Sequence, residues 1–481
     1  MFSWMGRIAE ACWGPVRRYA RMRKDDDDDD DALLWSKDIG RHAAGDFSFA
    51  IVQANEVLED YSQVEIGRDA IFVGVYDGHG GADASRFISN HLFLHLMTQI
   101  LFSFEKTDVV LLPILIYSVS SSVNERPLPL PPLPPLWRPA VMTASLVVNR
   151  PPCGGSPTGF SGGAAAECSC DTLVAASLAK ISLEAAPWKL QRWPWDFGFA
   201  QEFGTINEDV VRSAFSATEE GFLAHVRRTS QIKPLIAAMG SCCLVGVIWR
   251  GKLYLANLGD SRAVVGYLGR SNNIIAEQLT RDHNAAMEEV RQELRSLHPD
   301  DSNIVVLKHG VWRIKGIIQV SRTIGDAYLK KPEFALDPSI TRFHLTEPLC
   351  RPVLTAQPST YTRAILPQDK FVIFASDGLW EHLSNQQAVE IVHDHPREGI
   401  ARRLIRTALQ EAAHKREMRY ADLKKVDKGI RRFFHDDITV IVVYIDHEFL
   451  LGPKASVAEL SIHGFADAIG PSNFSMLDGT N

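Results

Sequence analysis

The stretch "IFVGVYDGHGGADASRF" (71–87) decides how this chain is read. The apolar run Ile71 to Val75 has the character of a buried strand, and "ADASRFISNHLFLHLM" after it has that of a helix. Between them stand Asp77, Gly78, His79, Gly80 and Gly81. A strand that only had to stop could use a simple turn dipeptide. An acid, a histidine and three glycines at its far end point instead to a bound group.

Other runs end in the same way. Asp377-Gly378 closes "KFVIFASDG", Asp436-Asp437 opens "DDITVIVV", and Asp260 sits at the turn of an expected hairpin, "ANLGDSRAVV". If these strands share a sheet, their carboxylates converge at one edge. Converging carboxylates raise one another's pKa unless neutralised. Without matching histidines or cysteines they select hard cations such as magnesium or manganese. Two such ions close together lower the pKa of a shared water and aim it at phosphorus. His79, two residues from a ligand, is then placed to protonate a leaving oxygen. Any single Asp-Gly pair is more often a turn, and a lone histidine is more often structural. The ordered combination DGHGG, GDSR, SDGLW and DDIT carries the inference.

The rest of the chain sets the bounds. With 481 residues, 46% of them apolar and 23% charged, it belongs to the soluble globular class. Seven consecutive aspartates, Asp25 to Asp31, equal the whole formal charge of −7 and read as a solvated block. No broad basic face suggests a nucleic-acid binder. Seven scattered cysteines fit a reducing compartment, and Cys168 and Cys170 lack a second pair at zinc spacing. The longest apolar run, "VVLLPILIYSV" (109–119), is too short to span a membrane. Arg7 and Glu10 interrupt any secretory signal, and Phe2 excludes N-myristoylation.

Residues 1–44 read as a tail, basic at first and then acidic. Residues 45–446 read as the folded domain, and 447–481 as a polar C-terminal tail. An insert at about 101–200 interrupts the domain and holds 13 of the 25 prolines, including "RPLPLPPLPPLWRP" (126–139). Such composition favours extended, solvated backbone. Thr205 and Glu208 form a capping-box pattern before a helix with Val211, Phe215, Phe222 and Val226 on one face. Several short apolar runs then alternate with turn signals, with helix-like stretches such as 398–415 among them. This pattern gives an α+β fold, a sandwich of antiparallel strands covered by helices.

"VYDGHGG" (75–81), "ANLGDSRAVV" (256–265), "VSRTIGDAYLK" (320–330), "FASDGLWEHLS" (374–384) and "HDDITVIVV" (435–443) resemble, in order, the motif series of the metal-dependent serine/threonine protein phosphatases of type 2C. The match covers roughly 45–100 and 201–446. "VQANEVLEDYSQVE", "AFSATEEGFL" and "GSCCLVGVI" are similar to the plant clade-D branch. The resemblance implies a central β-sandwich of two antiparallel sheets flanked by α-helices, with two manganese or magnesium ions at one end. It implies Asp77 bridging both ions, Gly78 ligating through its carbonyl, and Asp377 and Asp436 completing the set. Asp260 and Glu381 match a weaker third metal site. Glu59 and Asp60 match an acidic pair that reaches the metals through water, and His79 matches the general acid. Hydroxide held by the ions would attack phosphoserine or phosphothreonine in line, with no phosphoenzyme.

Two departures stand out. Where many relatives hold the substrate phosphate with an arginine, this chain has Asn55. Phosphate binding then falls to the metals, or to Arg262 or Arg322, for each of which pairing with nearby carboxylates is the plainer reading. The insert is the second departure, since the resemblance implies a short connection there. Its length alone is thermodynamically tolerable, because closure entropy grows slowly.

Three rival readings are weaker. "CWGPVRR" (12–18) has the C-x5-R spacing of a cysteine phosphatase, but Trp13 and Pro15 replace the glycines such a loop needs. A pseudophosphatase scaffold with a proline-rich arm is disfavoured by the intact acids. A hydrolase acting on nucleic acid would need basic and stacking features; the nearest stretch, "KKVDKGIRRFFHDD" (424–437), reads better as steering acidic phosphopeptides. Phosphoproteins are thus the expected partners. The branch resemblance implies plasma-membrane proton pumps as substrates and small auxin-induced proteins as inhibitors. A monomer of cytoplasm or nucleus, peripheral to the plasma membrane at most, completes the expectation.

Overall fold

The computed structural model describes Asp31 and residues 33–109, 206–343, 345, 349, 351–451, 457–465 and 469–474. The basic segment up to residue 24, Thr205 and the insert beyond residue 109 lie outside these residues.

Two antiparallel sheets stack face to face. One has six strands in the order β1-β2-β16-β15-β9-β10. These are β1 (Leu34–His42), β2 (Gly45–Val52), β9 (Arg262–Leu268), β10 (Ile274–Gln278), β15 (Asp369–Ala375) and β16 (Ile438–Tyr444). The other has seven, in the order β14-β8-β7-β4-β3-β17-β18. Its members are β3 (Tyr61–Ile66), β4 (Ala70–Tyr76), β7 (Cys243–Trp249), β8 (Lys252–Leu258), β14 (Ser359–Ala364), β17 (Leu460–His463) and β18 (Gly470–Pro471).

The strands read as unbroken apolar runs because both faces of each sheet are covered. In β4, Ile71, Val73 and Val75 point into the sandwich, where they meet Phe49, Phe374 and Ile441 from the facing sheet. Phe72 and Tyr76 point outward onto α1 (Asp83–Val109) and α2 (Glu208–Thr229), among Leu92, Phe93, Phe215 and Phe222. On the far side, Ile373, Val440 and Val442 meet Val389 of α5 (Asn385–Asp394) and Leu404, Ile405 and Leu409 of α6 (Ile400–Lys415). The expected α+β sandwich is the observed one.

Three local expectations change. The α2 cap is Asn207, whose side chain accepts from the Val210 amide, two residues after the expected Thr205. The turn holding Asp260 is no hairpin: β8 belongs to the seven-stranded sheet and β9 to the six-stranded one, so the chain crosses between sheets there. The segments expected as tails also carry structure. β1 pairs with β2 along its length, and β17 pairs with β3. Phe474 is buried against the Phe93 ring at 4.9 Å, and the Ser461 and Ser472 hydroxyls donate to Glu65. Asp31, expected in solvent with its neighbours, is buried and clasped by Arg431 at 2.8 Å and 3.2 Å.

No helix among the described residues is long and apolar enough to cross a membrane.

Candidate active site

The predicted acids meet at one end of the sandwich, and they come from both sheets. Asp77 follows β4 of the seven-stranded sheet. Asp377 follows β15, and Asp436 precedes β16, in the six-stranded sheet; Asp260 lies on the crossing between sheets. A short three-stranded sheet, β13 (Ile324–Gly325), β6 (Gly240–Ser241) and β5 (Gly78–His79), ties this end together. Within it Gly78 pairs with Ser241, and the Cys242 amide donates to the Asp77 carbonyl at 2.8 Å.

Electrostatics record the convergence. Burial pushes the Asp77 carboxyl well above the usual range, and repulsion from Asp377, Asp60, Asp436 and Asp260 adds to it. Burial does the same at Asp377, with repulsion from Asp260, Asp436 and Glu381. Asp436 is pushed up to about 6, burial outweighing the relief that Arg432 provides. Asp60 is raised by burial and Asp437, although the Thr439 hydroxyl donates to it at 2.7 Å. Glu59 is raised by burial and by Asp437 and Asp436. Such a set of mutually repelling oxygens fits hard divalent cations, which would relieve every one of these shifts.

Backbone approach matters as much as charge. A Cβ on Gly78 would lie 2.4 Å from the Glu59 carbonyl and 2.7 Å from the Ser85 hydroxyl. Only glycine lets the strand after Asp77 lie against the Glu59–Asp60 segment. Asp437 supports that segment from the other side. Its carboxylate accepts from the amides of Ala54 at 2.7 Å, Asn55 at 3.0 Å and Glu59 at 2.8 Å. Of the adjacent aspartates, Asp436 therefore faces the site while Asp437 holds the loop.

Arg262 and Arg322 have the carboxylate partners that the plainer reading gives them, and it is the basic stretch that departs from expectation. Arg262 is held bidentately by Asp282 and by Asn385, over the Trp380 ring. Arg322 binds Glu293 and the Gln357 carbonyl. In the basic stretch 424–437, Arg431 is fully buried on Asp31, which removes it from any steering surface. Its neighbour Arg432 is half exposed and grips Asp436 at 2.6 Å. Asn55 donates to the same carboxylate at 3.3 Å.

Sequence reasoning passed over three site residues. Cys242 donates its thiol to Asp260 at 3.4 Å, and with Asp77 these ligand atoms lie within 4.8 Å of one another. Asn284 donates to the other oxygen of Asp260 at 2.5 Å. Asp326 accepts from His79 Nε2 at 2.8 Å. Burial works to lower the His79 pKa, but Asp326, Glu59 and Asp260 together outweigh it and the net shift is upward. The signal for Asp326 is the Gly-Asp step in "VSRTIGDAYLK" (320–330), where an acid directly follows the short strand Ile324–Gly325.

The profile of the family described as Protein phosphatase 2C matches residues 197–416. The chain is 58% identical over 484 residues to "Probable protein phosphatase 2C 25" of Oryza sativa subsp. japonica, covering 99% of each. It is 57% identical to "Probable protein phosphatase 2C 43" of the same plant, covering 100% of each. "Probable protein phosphatase 2C 68" of Arabidopsis thaliana is 54% identical, with 99% of each covered.

Proposed function

The chain belongs to the protein phosphatase 2C family and is a metal-dependent protein-serine/threonine phosphatase; from that premise we propose which of its residues carry the reaction. Asp77, the Gly78 carbonyl, Asp377 and Asp436 hold two manganese or magnesium ions. Asp260 and Glu381 offer a weaker third site, and Glu59 and Asp60 act through water. When bound, the metals supply an activated nucleophile and offset charge on the phosphoryl oxygens. The observation that carries this reading is the set of buried acids from two sheets, each raised by burial and by the others.

His79 delivers a proton to the leaving serine or threonine oxygen. With Nε2 engaged by Asp326, Nδ1 is the nitrogen left for that task. Arg432 is the cation we assign to the substrate phosphate. It is half exposed and its carboxylate partner, Asp436, is one of the proposed metal ligands, whereas the less exposed Arg262 and Arg322 pair with Asp282 and Glu293, which lie outside that set. A non-catalytic scaffold is not supported, since every acid of the set is present. Of substrates, the branch resemblance favours plasma-membrane proton pumps restrained by small auxin-induced proteins. Release of phosphate from a pump phosphopeptide, with and without such an inhibitor, checks that finer point.

The primary test is phosphate release from a phosphothreonine peptide with manganese, with magnesium, and with chelator, for the full chain and Asp377→Asn. Release that needs metal and is lost in the variant is expected. Metal-independent release, or full activity in Asp377→Asn, would overturn the assignment.

A further inference from the structure

Asp326 stands outside the ligand set, yet the structure is built to present it to His79. Its carboxylate is 1% exposed, and its Oδ2 lies 2.8 Å from His79 Nε2, whereas the His79 side chain is 30% exposed. Asp326 is also one of the few non-glycine residues with left-handed backbone, at φ 47 and ψ 44. Aspartate tolerates that region better than most residues, and such outliers gather where function over-determines geometry.

The surroundings fix this conformation from several sides. The Asp326 amide donates to the Met239 carbonyl at 2.8 Å, and the Leu329 amide donates to the Asp326 carbonyl at 2.9 Å. The preceding Gly325 amide donates to Glu219 of α2 at 2.9 Å. The other Glu219 oxygen accepts from Lys330 at 2.8 Å in a buried pair, and Lys330 also donates to the Thr323 carbonyl at 2.7 Å. The loop 323–330 is thus bolted to a helix on both sides of Asp326.

The neighbouring strand supplies an independent sign. A Cβ on Gly240 would lie 2.0 Å from Asp326 Oδ2 and 2.5 Å from His79 Nε2. Gly240 pairs with His79 on one side and Gly325 on the other. The absent side chain therefore leaves the room through which the carboxylate and the imidazole meet.

We infer that Asp326 is a positioning residue for His79, fixing the imidazole with Nε2 turned inward so that Nδ1 faces the leaving oxygen, and that Gly240 is required for this contact. The inference rests on the phosphatase reading of the site. A carboxylate behind a histidine sets both ring orientation and tautomer. Misplacing a reacting group by about 1 Å costs on the order of 10²-fold in rate.

The test uses two substrates that differ in their need for a proton donor. A phosphothreonine peptide has a poor leaving group, while p-nitrophenyl phosphate releases a stable anion. Full-length Asp326→Ala and Gly240→Ala are expected to lose about 10–100-fold in kcat on the peptide, within the range that general acids supply. KM and the manganese requirement should stay within a few-fold, and the aryl phosphate should lose much less. Asp326→Asn keeps an acceptor and tolerates the same backbone, so it should recover part of the loss. Adding His79→Ala to Asp326→Ala should cost no more than His79→Ala alone, because the two act as a unit.

Equal losses on both substrates, a raised manganese requirement, or additive losses in the double variant would overturn the inference and leave Asp326 a structural residue. Absence of metal-dependent release by the unmodified chain on either substrate would instead sink the phosphatase reading beneath it.

Discussion

Removal of the Asp31 carboxylate should cost far more than its place at the end of an aspartate run suggests. Arg431 is fully buried, with 0% exposure, and both its terminal nitrogens go to Asp31. Its Nε finds no partner among the described residues. Asp31→Ala strands a guanidinium in the core, and breaking a buried pair from one side costs about 3–5 kcal/mol. At an m-value of about 3 kcal/mol/M, that lowers the urea midpoint by more than about 1 M. Arg431→Met leaves the buried Asp31 carboxylate without its partner and should cost a similar amount. The double variant Asp31→Ala/Arg431→Met should lie within about 1 kcal/mol of the parent, since apolar replacement of a buried pair is often neutral. Urea unfolding of the metal-free chain measures all four corners of the cycle. A functional effect should accompany the stability loss, because Arg431 opens the short turn Arg431–Phe433 that aims Arg432 at Asp436. The manganese concentration for half-activation should rise in Asp31→Ala and recover in the double variant. A loss under about 1 kcal/mol in Asp31→Ala, or a double variant as weak as the worse single, would refute the argument.

The acid cluster predicts an inverted pH response. Raised carboxyls bind protons more tightly folded than unfolded, so their stabilisation is full below about pH 4 and is lost as pH rises through about 6, the value to which Asp436 is pushed. Melts in chelator and in manganese should show a larger metal gain at pH 7 than at pH 5, and Asp377→Asn should raise the chelator melt at pH 7; a pH-independent gain contradicts this. His42 runs the other way. Burial outweighs its bonds to Asp46 and Tyr444 and lowers it to about 4, so its stabilisation is present above 6.5 and is lost as pH falls toward 4. Relative to His42→Gln, the parent should lose about 2 kcal/mol more between pH 7 and 5, measured by urea unfolding. Arg432→Ala should raise KM for a phosphopeptide by about 10-fold with a smaller change in kcat, the worth of one charge-assisted contact; an unchanged KM would remove Arg432 from the substrate.

What the sequence made legible was local. The runs before Asp77 and Asp377 and after Asp436 read as strands because two covered faces demand apolar residues at every position, and an acid at such a boundary is conspicuous. Pairing was not local. "ANLGDSRAVV" has the outline of a hairpin, yet its halves join different sheets, and nothing within ten residues distinguishes a turn that folds back from one that crosses over. The same limit hid Asp31, which carries the same side chain as the six residues before it. Its partner stands 400 positions away, so its burial follows from tertiary packing alone.

The crossing at Asp260 also explains why the site can exist. Neighbouring strands of an antiparallel sheet run in opposite directions, so the end of β15 and the start of β16 fall at the same end of their sheet. Acids after β4 and β15 and before β16 reach one end because the two sheets stack with those boundaries aligned, and the β8–β9 crossing brings Asp260 between them. Each carboxylate is thereby anchored to a different strand whose inward face is locked in the shared core, Val75, Phe374 and Ile441 among them. The repulsion recorded at Asp77 and Asp377 cannot be relaxed by moving any one acid without shifting a packed strand. The sandwich core is what holds the charges together against their own field, and that stored repulsion is what a divalent ion releases on binding.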